Sequence, residues 1–141
     1  MTPAQARQRF ATAHVARLAT ADRYGIPHVV PMVFALAGDT IYSAVDDKPK
    51  RTTALRRLSN IAENPAVSVL VDHYEDDWGR LWWARADGTA RRVEGASEEG
   101  RRAVGLLATR YPRYAARPPA GPVLAIEVRR WSGWAADAPA R

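Results

Sequence analysis

There is no cysteine among the 141 residues, which removes disulfides, thiolate metal sites and cysteine nucleophiles and makes a reducing, cytoplasmic setting the expectation. No apolar run approaches the roughly 20 residues of a membrane-crossing helix, so no membrane partner is expected. The N-terminus, Met1-Thr2-Pro3-Ala4-Gln5-Ala6-Arg7, lacks the apolar core of an export signal. Neither common Gly-rich phosphate loop occurs. The three histidines, His14, His28 and His73, lie in separate segments without ligand spacing. The acidic run Asp72, Glu75, Asp76, Asp77 lacks the glycine and regular spacing of a calcium loop. No metal site is expected. Lysine is nearly missing too: of 21 basic residues only Lys48 and Lys50 are lysines, and arginine serves everywhere else.

The length suits one domain over 1–141, large enough to bury a real core. The formal charge is +6, but the arginines come in scattered pairs interleaved with acids. That distribution suits a small anionic ligand better than nucleic acid, and no nucleic-acid partner is expected.

Thr2-Pro3 reads as an N-cap followed by Pro at the first helical position, opening a helix to about Ala11. His14 to Ala21 alternates like a strand. Asp22 to Pro27 is a turn, and Val29 to Ala35 is a second strand. Pro31 cannot donate to a ladder, which puts that strand at an edge or bulge. Ala37-Gly38-Asp39 turns into Thr40 to Val45, completing two hairpins. A helix from Ala54 to Glu63 places Ala54, Leu55, Leu58, Ile61 and Ala62 on one face, with Arg56, Arg57 and Asn60 elsewhere; Pro65 ends it. Ala66 to Val71 is a buried strand, and Leu81 to Ala86 and Thr89 to Glu94 flank a turn or bulge at Asp87-Gly88. Ser97-Glu98-Glu99 starts another helix with acids in its first turn. A Pro- and Arg-rich loop spans Pro112 to Pro122. Val123 to Val128 is the last strand, and the tail is expected to be irregular from about residue 132. Six or seven strands in hairpin order with two or three short helices predict a mainly β, split antiparallel barrel. Strands and helices do not alternate as a doubly wound parallel sheet requires.

The densest chemistry is Asp46-Asp47-Lys48-Pro49-Lys50-Arg51-Thr52-Thr53, at a strand-to-helix junction. Three cations and two hydroxyls meet a helix start, where free N–H groups and the dipole favour an anion such as phosphate. A solvated basic turn is the competing reading. Trp82 and Trp83 are adjacent on a strand and so face opposite sides. One enters the core; the other suits a partner subunit or a planar ring. Tyr74, Trp78 and Tyr111 are further candidates for the acceptor side.

The order Leu18-Ala19-Thr20, Gly25 to Pro31, Ile41-Tyr42-Ser43, Lys50-Arg51-Thr52, Asn64-Pro65, Val67 to Val71, then Trp82 to Ala90 resembles the pyridoxamine 5′-phosphate oxidase-like split-barrel superfamily, with an FMN-binding-protein-like fold. Within it the chain is similar to the small flavin and deazaflavin oxidoreductases that use coenzyme F420. The resemblance implies a homodimer with the cofactor at its interface. It puts the cofactor phosphate at Lys48, Lys50, Arg51, Thr52 and Thr53. Val30, Pro31, Met32 and Val33 line the pocket, with Ser43 counted among them, and the ring lies beside the strand of Trp82 and Trp83. Arg56-Arg57, one turn into the helix, offers charge for the longer anionic tail of F420. The larger vitamin-forming oxidases carry an Arg-Gln pair where Trp82-Trp83 falls. The implied activity is hydride transfer from reduced F420 to a small organic acceptor, with FMN as the alternative cofactor and a non-catalytic cofactor-binding protein as a further one.

A charge-assisted bond to phosphate contributes about 1.5–3 kcal/mol. Lys50→Ala is therefore expected to weaken cofactor binding about 10- to 100-fold in a titration, and Arg141→Ala to leave it unchanged. Equal affinity of the Lys50→Ala variant would contradict the phosphate assignment.

Overall fold

The computed structural model describes residues 1–45 and 51–136, without the side chains of 51–55. The elements run α1 (Pro3–Thr12), β1 (Ala16–Ala21), β2 (Pro27–Met32), β3 (Ala35–Ala37), β4 (Thr40–Ala44), α2 (Arg51–Glu63), β5 (Ala66–His73), β6 (Trp82–Val93), α3 (Glu98–Arg110), α4 (Pro112–Ala116) and β7 (Val123–Ala135). The sheet order is β2-β1-β5-β6-β7-β4-β3, antiparallel throughout. The fold is the expected split antiparallel β-barrel with helices at its rim.

Local signals set much of this. The Thr2 hydroxyl accepts from the Gln5 N–H and the Gln5 side chain accepts from the Thr2 N–H, a reciprocal cap that starts α1. The helix then seats buried Phe10 edge-on against Phe34 and Trp131. On β5, Val67, Val69 and Val71 are buried while Ser68 and Leu70 face the other way, as period-two alternation requires. The strand carrying Pro31 is indeed at the sheet edge, paired with β1 alone.

Three expectations need correction, and at Asp87-Gly88 the bulge holds over the turn. The Val29–Ala35 run is split: β2 stops at Met32 and β3 begins at Ala35. Leu81–Ala86 and Thr89–Glu94 belong to one strand, β6, with a bulge between Asp87 and Gly88. A Cβ at Gly88 would overlap the Glu127 carbonyl, so that position needs glycine for close backbone approach. The tail from residue 132 is not irregular as far as Ala135: β7 continues, pairing Trp131 to Ala135 with Ala86 to Trp82. The Pro- and Arg-rich loop contains α4, started by Pro112.

Helix α3 is capped by Ser97 and buries Ala103 and Leu107 over the side of the sheet formed by β3, β4 and β7. Its first turn is pinned by Glu99. Both Arg91 terminal nitrogens donate to this carboxylate, at 2.8 and 2.7 Å, and the buried Tyr42 hydroxyl donates at 2.8 Å. These donors, Arg91 foremost, hold the Glu99 carboxyl at a pKa of about 2 against an ordinary 4.5. Burial and the bond to Glu99 push the Tyr42 phenol up.

A depressed carboxylate pKa stabilises the fold above the unfolded value and loses that effect as pH falls through the folded value. Glu99→Gln is expected to cost on the order of 1–3 kcal/mol at neutral pH. The melting-temperature gap from wild type should close as pH drops from about 4.5 towards 2. A gap independent of pH over that range would contradict the account.

Candidate functional site

A cavity of about 240 Å³ lies between the free edge of β2 and the end of β4. Pro31, Met32 and Val33 form one wall and Ser43 and Ala44 the other, with Val15, Arg57 and Tyr114 completing it. Five residues expected at the cofactor, Pro31, Met32, Val33, Ser43 and Arg57, are brought together here. Val30 is buried in the core behind them.

The wall is shaped by what happens to the backbone after β2. Pro27 and Pro31 have no N–H, so they occupy positions whose amide side points away from β1. The Asp22 N–H bond to the Ile26 carbonyl fixes the same alternation. Continuing it by two residues turns the Val33 N–H away from β1, outward at the free edge. No hydrogen bond within the described residues takes up that N–H. Its neighbours are all met by side chains. Ser43 Oγ donates to the Val33 carbonyl at 2.8 Å, the Phe34 N–H donates to the Tyr111 hydroxyl at 3.1 Å, and Arg110 Nη1 donates to the Phe34 carbonyl at 3.0 Å. A buried backbone that leaves a ladder needs such replacements.

Arg57 reaches the cavity because α2 is anchored by polar groups. Asn60, expected off the packed face, is buried and donates from Nδ2 to Thr20 Oγ1 at 3.2 Å; Asn64 Nδ2 donates to the Asp22 carbonyl at 3.3 Å. Ala62, expected inward, is exposed, while Ile61 is buried. The inward stripe thus includes 57, 60, 61 and 64, one turn apart, beside Leu58, which packs on the core as expected; Arg57, like Asn60, was expected elsewhere. Lys48 and Lys50 lie outside the described residues, as do the side chains of Arg51, Thr52, Thr53 and Leu55. The backbone of residues 51–53 forms the first turn of α2.

The tryptophans part as their adjacency requires. Trp82 packs against the core with the Arg9 guanidinium 4.4 Å from its ring centre. Trp83 faces outward beside Arg85, opposite the exposed Trp134. Neither lines the cavity. Strand β6 is separated from β2 by β1 and β5, about 14 Å at the usual strand spacing. On that same outer face Ser68 Oγ donates to Asp87 at 2.6 Å and Arg85 Nε donates to it at 3.1 Å. Tyr74 and Trp78 are exposed in the β5–β6 connection.

Sequence reasoning missed Tyr114 and Val15. Pro112 directly after Tyr111 is the signal that could have found α4, because Pro favours the first helical position. A larger cavity of about 480 Å³ lies between α1 and the end of β7, lined by Gln5, Gln8, Arg9 and Thr12 among others. It holds none of the expected residues.

The family model described as pyridoxamine 5′-phosphate oxidase matches residues 2–135. No curated protein matches the chain. Among solved structures, HutZ, a heme storage protein from Vibrio cholerae, superimposes with a TM-score of 0.71 at 15% identity, covering 94% of this chain and 92% of that one. An FAD-binding protein from Mesorhizobium loti gives 0.67 at 21% identity, covering 94% of each. A heme binding protein from Mycobacterium smegmatis gives 0.74 at 20% identity, covering all of this chain but 56% of that one. At these identities the likeness is one of fold.

Proposed function

This chain belongs to the pyridoxamine 5′-phosphate oxidase family, and on that premise we propose that it is a cytoplasmic homodimer that binds reduced coenzyme F420 for hydride transfer to a small organic acceptor. The observation that carries the reading is the convergence of Pro31, Met32, Val33, Ser43 and Arg57 on one cavity at the barrel's split. The donor set fits the cofactor. Apolar walls suit a flat ring, the Val33 N–H and Ser43 are polar groups beside it, and Arg57 stands on the helix whose first turn holds Arg51, Thr52 and Thr53. Lys48, Lys50, Arg51, Thr52 and Thr53 would take the phosphate, and Arg57 the tail. Bound there, the reduced deazaflavin supplies the hydride. The chain's part is to bind, to orient the ring and to exclude water; the acceptor's proton comes from solvent.

One chain's cavity is smaller than the roughly 300–1,000 Å³ of sites that enclose drug-sized ligands. A second copy would complete it. The outer sheet face offers Val29, Trp83 and Trp134, of which Val29 is 62% and Trp134 43% exposed. Apolar surface of this kind favours a two-fold contact. Trp83 would then meet the ring from the partner's side, as its position in the family resemblance implies.

FMN remains the alternative cofactor, since the same clamp suits its single phosphate, and the FAD-binding relative keeps flavins in view. Haem is named for two relatives; no histidine lines this cavity among the described residues.

In absorbance titrations at moderate salt, F420 is expected to bind at least about tenfold tighter than FMN, with the steeper salt dependence of an exposed anionic tail. Protein that purifies yellow with stoichiometric FMN and ignores F420 would reverse the choice.

A further inference from the structure

The β1–β2 ladder ends one rung early. Its last pair is Ala16 with Met32. With the alternation set by Pro27 and Pro31, the next hydrogen-bonded pair would join His14 to Phe34. That bond is not made. The Tyr111 hydroxyl stands in its place: it accepts from the Phe34 N–H at 3.1 Å and lies 2.8 Å from the His14 carbonyl and 2.7 Å from the Phe34 carbonyl. A hydroxyl has one proton and accepts twice. Arg110 also donates to the Phe34 carbonyl, and the single Tyr111 proton is placed to serve either the His14 or the Phe34 carbonyl. The hydroxyl thus stands between Phe34 and His14 in place of the direct rung, widening it by one oxygen. Arg110 also donates to the Ala13 carbonyl, which holds the β1 side of the gap.

Three of the lining residues, Val33, Val15 and Tyr114, adjoin this tyrosine or the partners of its hydroxyl. Phe34 is bonded to Val33, His14 to Val15, and the Tyr111 ring packs edge-on against Tyr114 with centroids 6.1 Å apart. Resting on the cofactor reading above, we propose that Tyr111 is a positioning residue. Its hydroxyl spaces the end of β2 from β1, so that the outward Val33 N–H is held at the cavity wall for a hydrogen-bond acceptor on the planar ring of the cofactor. A ring carbonyl or imine-type nitrogen is the chemistry that fits. Ser43, bonded to the Val33 carbonyl, fixes the same peptide from the opposite wall.

The test is Tyr111→Phe, which keeps the ring and removes the oxygen. Binding of F420 and FMN is titrated well below both melting temperatures, and the Val33 amide is followed by NMR in protein free of cofactor. The expected result is about a tenfold loss of affinity for whichever cofactor wild type binds. The bound cofactor's absorbance bands should move back towards their free positions, and the Val33 amide should change in shift and exchange rate. A merely structural role would lower the melting temperature and leave the spectrum of the bound cofactor alone. Unchanged affinity and spectrum, or an unmoved Val33 amide, overturns the proposal. If wild type binds neither cofactor while the Val33 amide moves on mutation, the cofactor reading fails and the positioning of Val33 by Tyr111 stands. A Tyr111→Phe protein that does not fold would be replaced by Ser43→Ala. That variant is expected to move the Val33 amide and to weaken binding in the same direction, and an unmoved amide there overturns the proposal equally.

Discussion

The pairing of β6 with β7 is the constraint on which the other elements depend. One half of β7, Val123 to Glu127, also pairs with β4; the far part of β6, Trp82 to Thr89, also pairs with β5. A single long ladder therefore knits both ends of the sheet. Such a ladder must bend to let the barrel curl, and the bulge at Asp87-Gly88 supplies the bend where Gly88 meets the Glu127 carbonyl. The barrel remains split between β2 and the β3–β4 hairpin. The cavity is what that split leaves open.

The split also dictates the character of the site. Both bordering strands lack a neighbour on one side, so their backbone groups must be met by other means. Prolines remove two of the outward N–H groups on β2. Ser43, Arg110 and Tyr111 satisfy the polar groups around the β2–β3 link. The Val33 N–H has no such partner among the described residues, and Val33 lines the cavity. Remote packing serves this arrangement too: Glu99 pins the first turn of α3 to Arg91 and Tyr42, and the last residue of the same helix, Arg110, with Tyr111 that caps it, reaches the β2–β3 link.

Features carried by neighbouring residues were legible in the sequence. The Thr2 cap, the alternation of Val67, Val69 and Val71, Pro31 at an edge and Ser97 before α3 all follow from local geometry. The grouping of Pro31, Met32, Val33, Ser43 and Arg57 at one cavity was legible too, through resemblance as much as chemistry. Other features depend on partners distant in the chain. Asp87-Gly88 reads equally as a turn or a bulge because nothing nearby announces Glu127. Asn60 reads as an outward residue because its partner, Thr20, is forty positions away. Trp131 to Ala135 reads as a tail because its strand partner is the segment whose own tryptophans face both sides. Tyr111 reads as a candidate for the acceptor side, and its hydroxyl becomes important only once the β1–β2 ladder is seen to stop short.

The central claim is that the cofactor's ring sits at the barrel's split, against the link that follows β2. The most direct measurement is a map of backbone amide shifts on addition of F420 to the folded protein. The account predicts the largest changes at Met32, Val33, Ser43 and Ala44, with Gln5, Gln8 and Thr12 beside the larger cavity unmoved. Saturable changes confined to α1 and the end of β7, with Val33 and Ser43 silent, would contradict it.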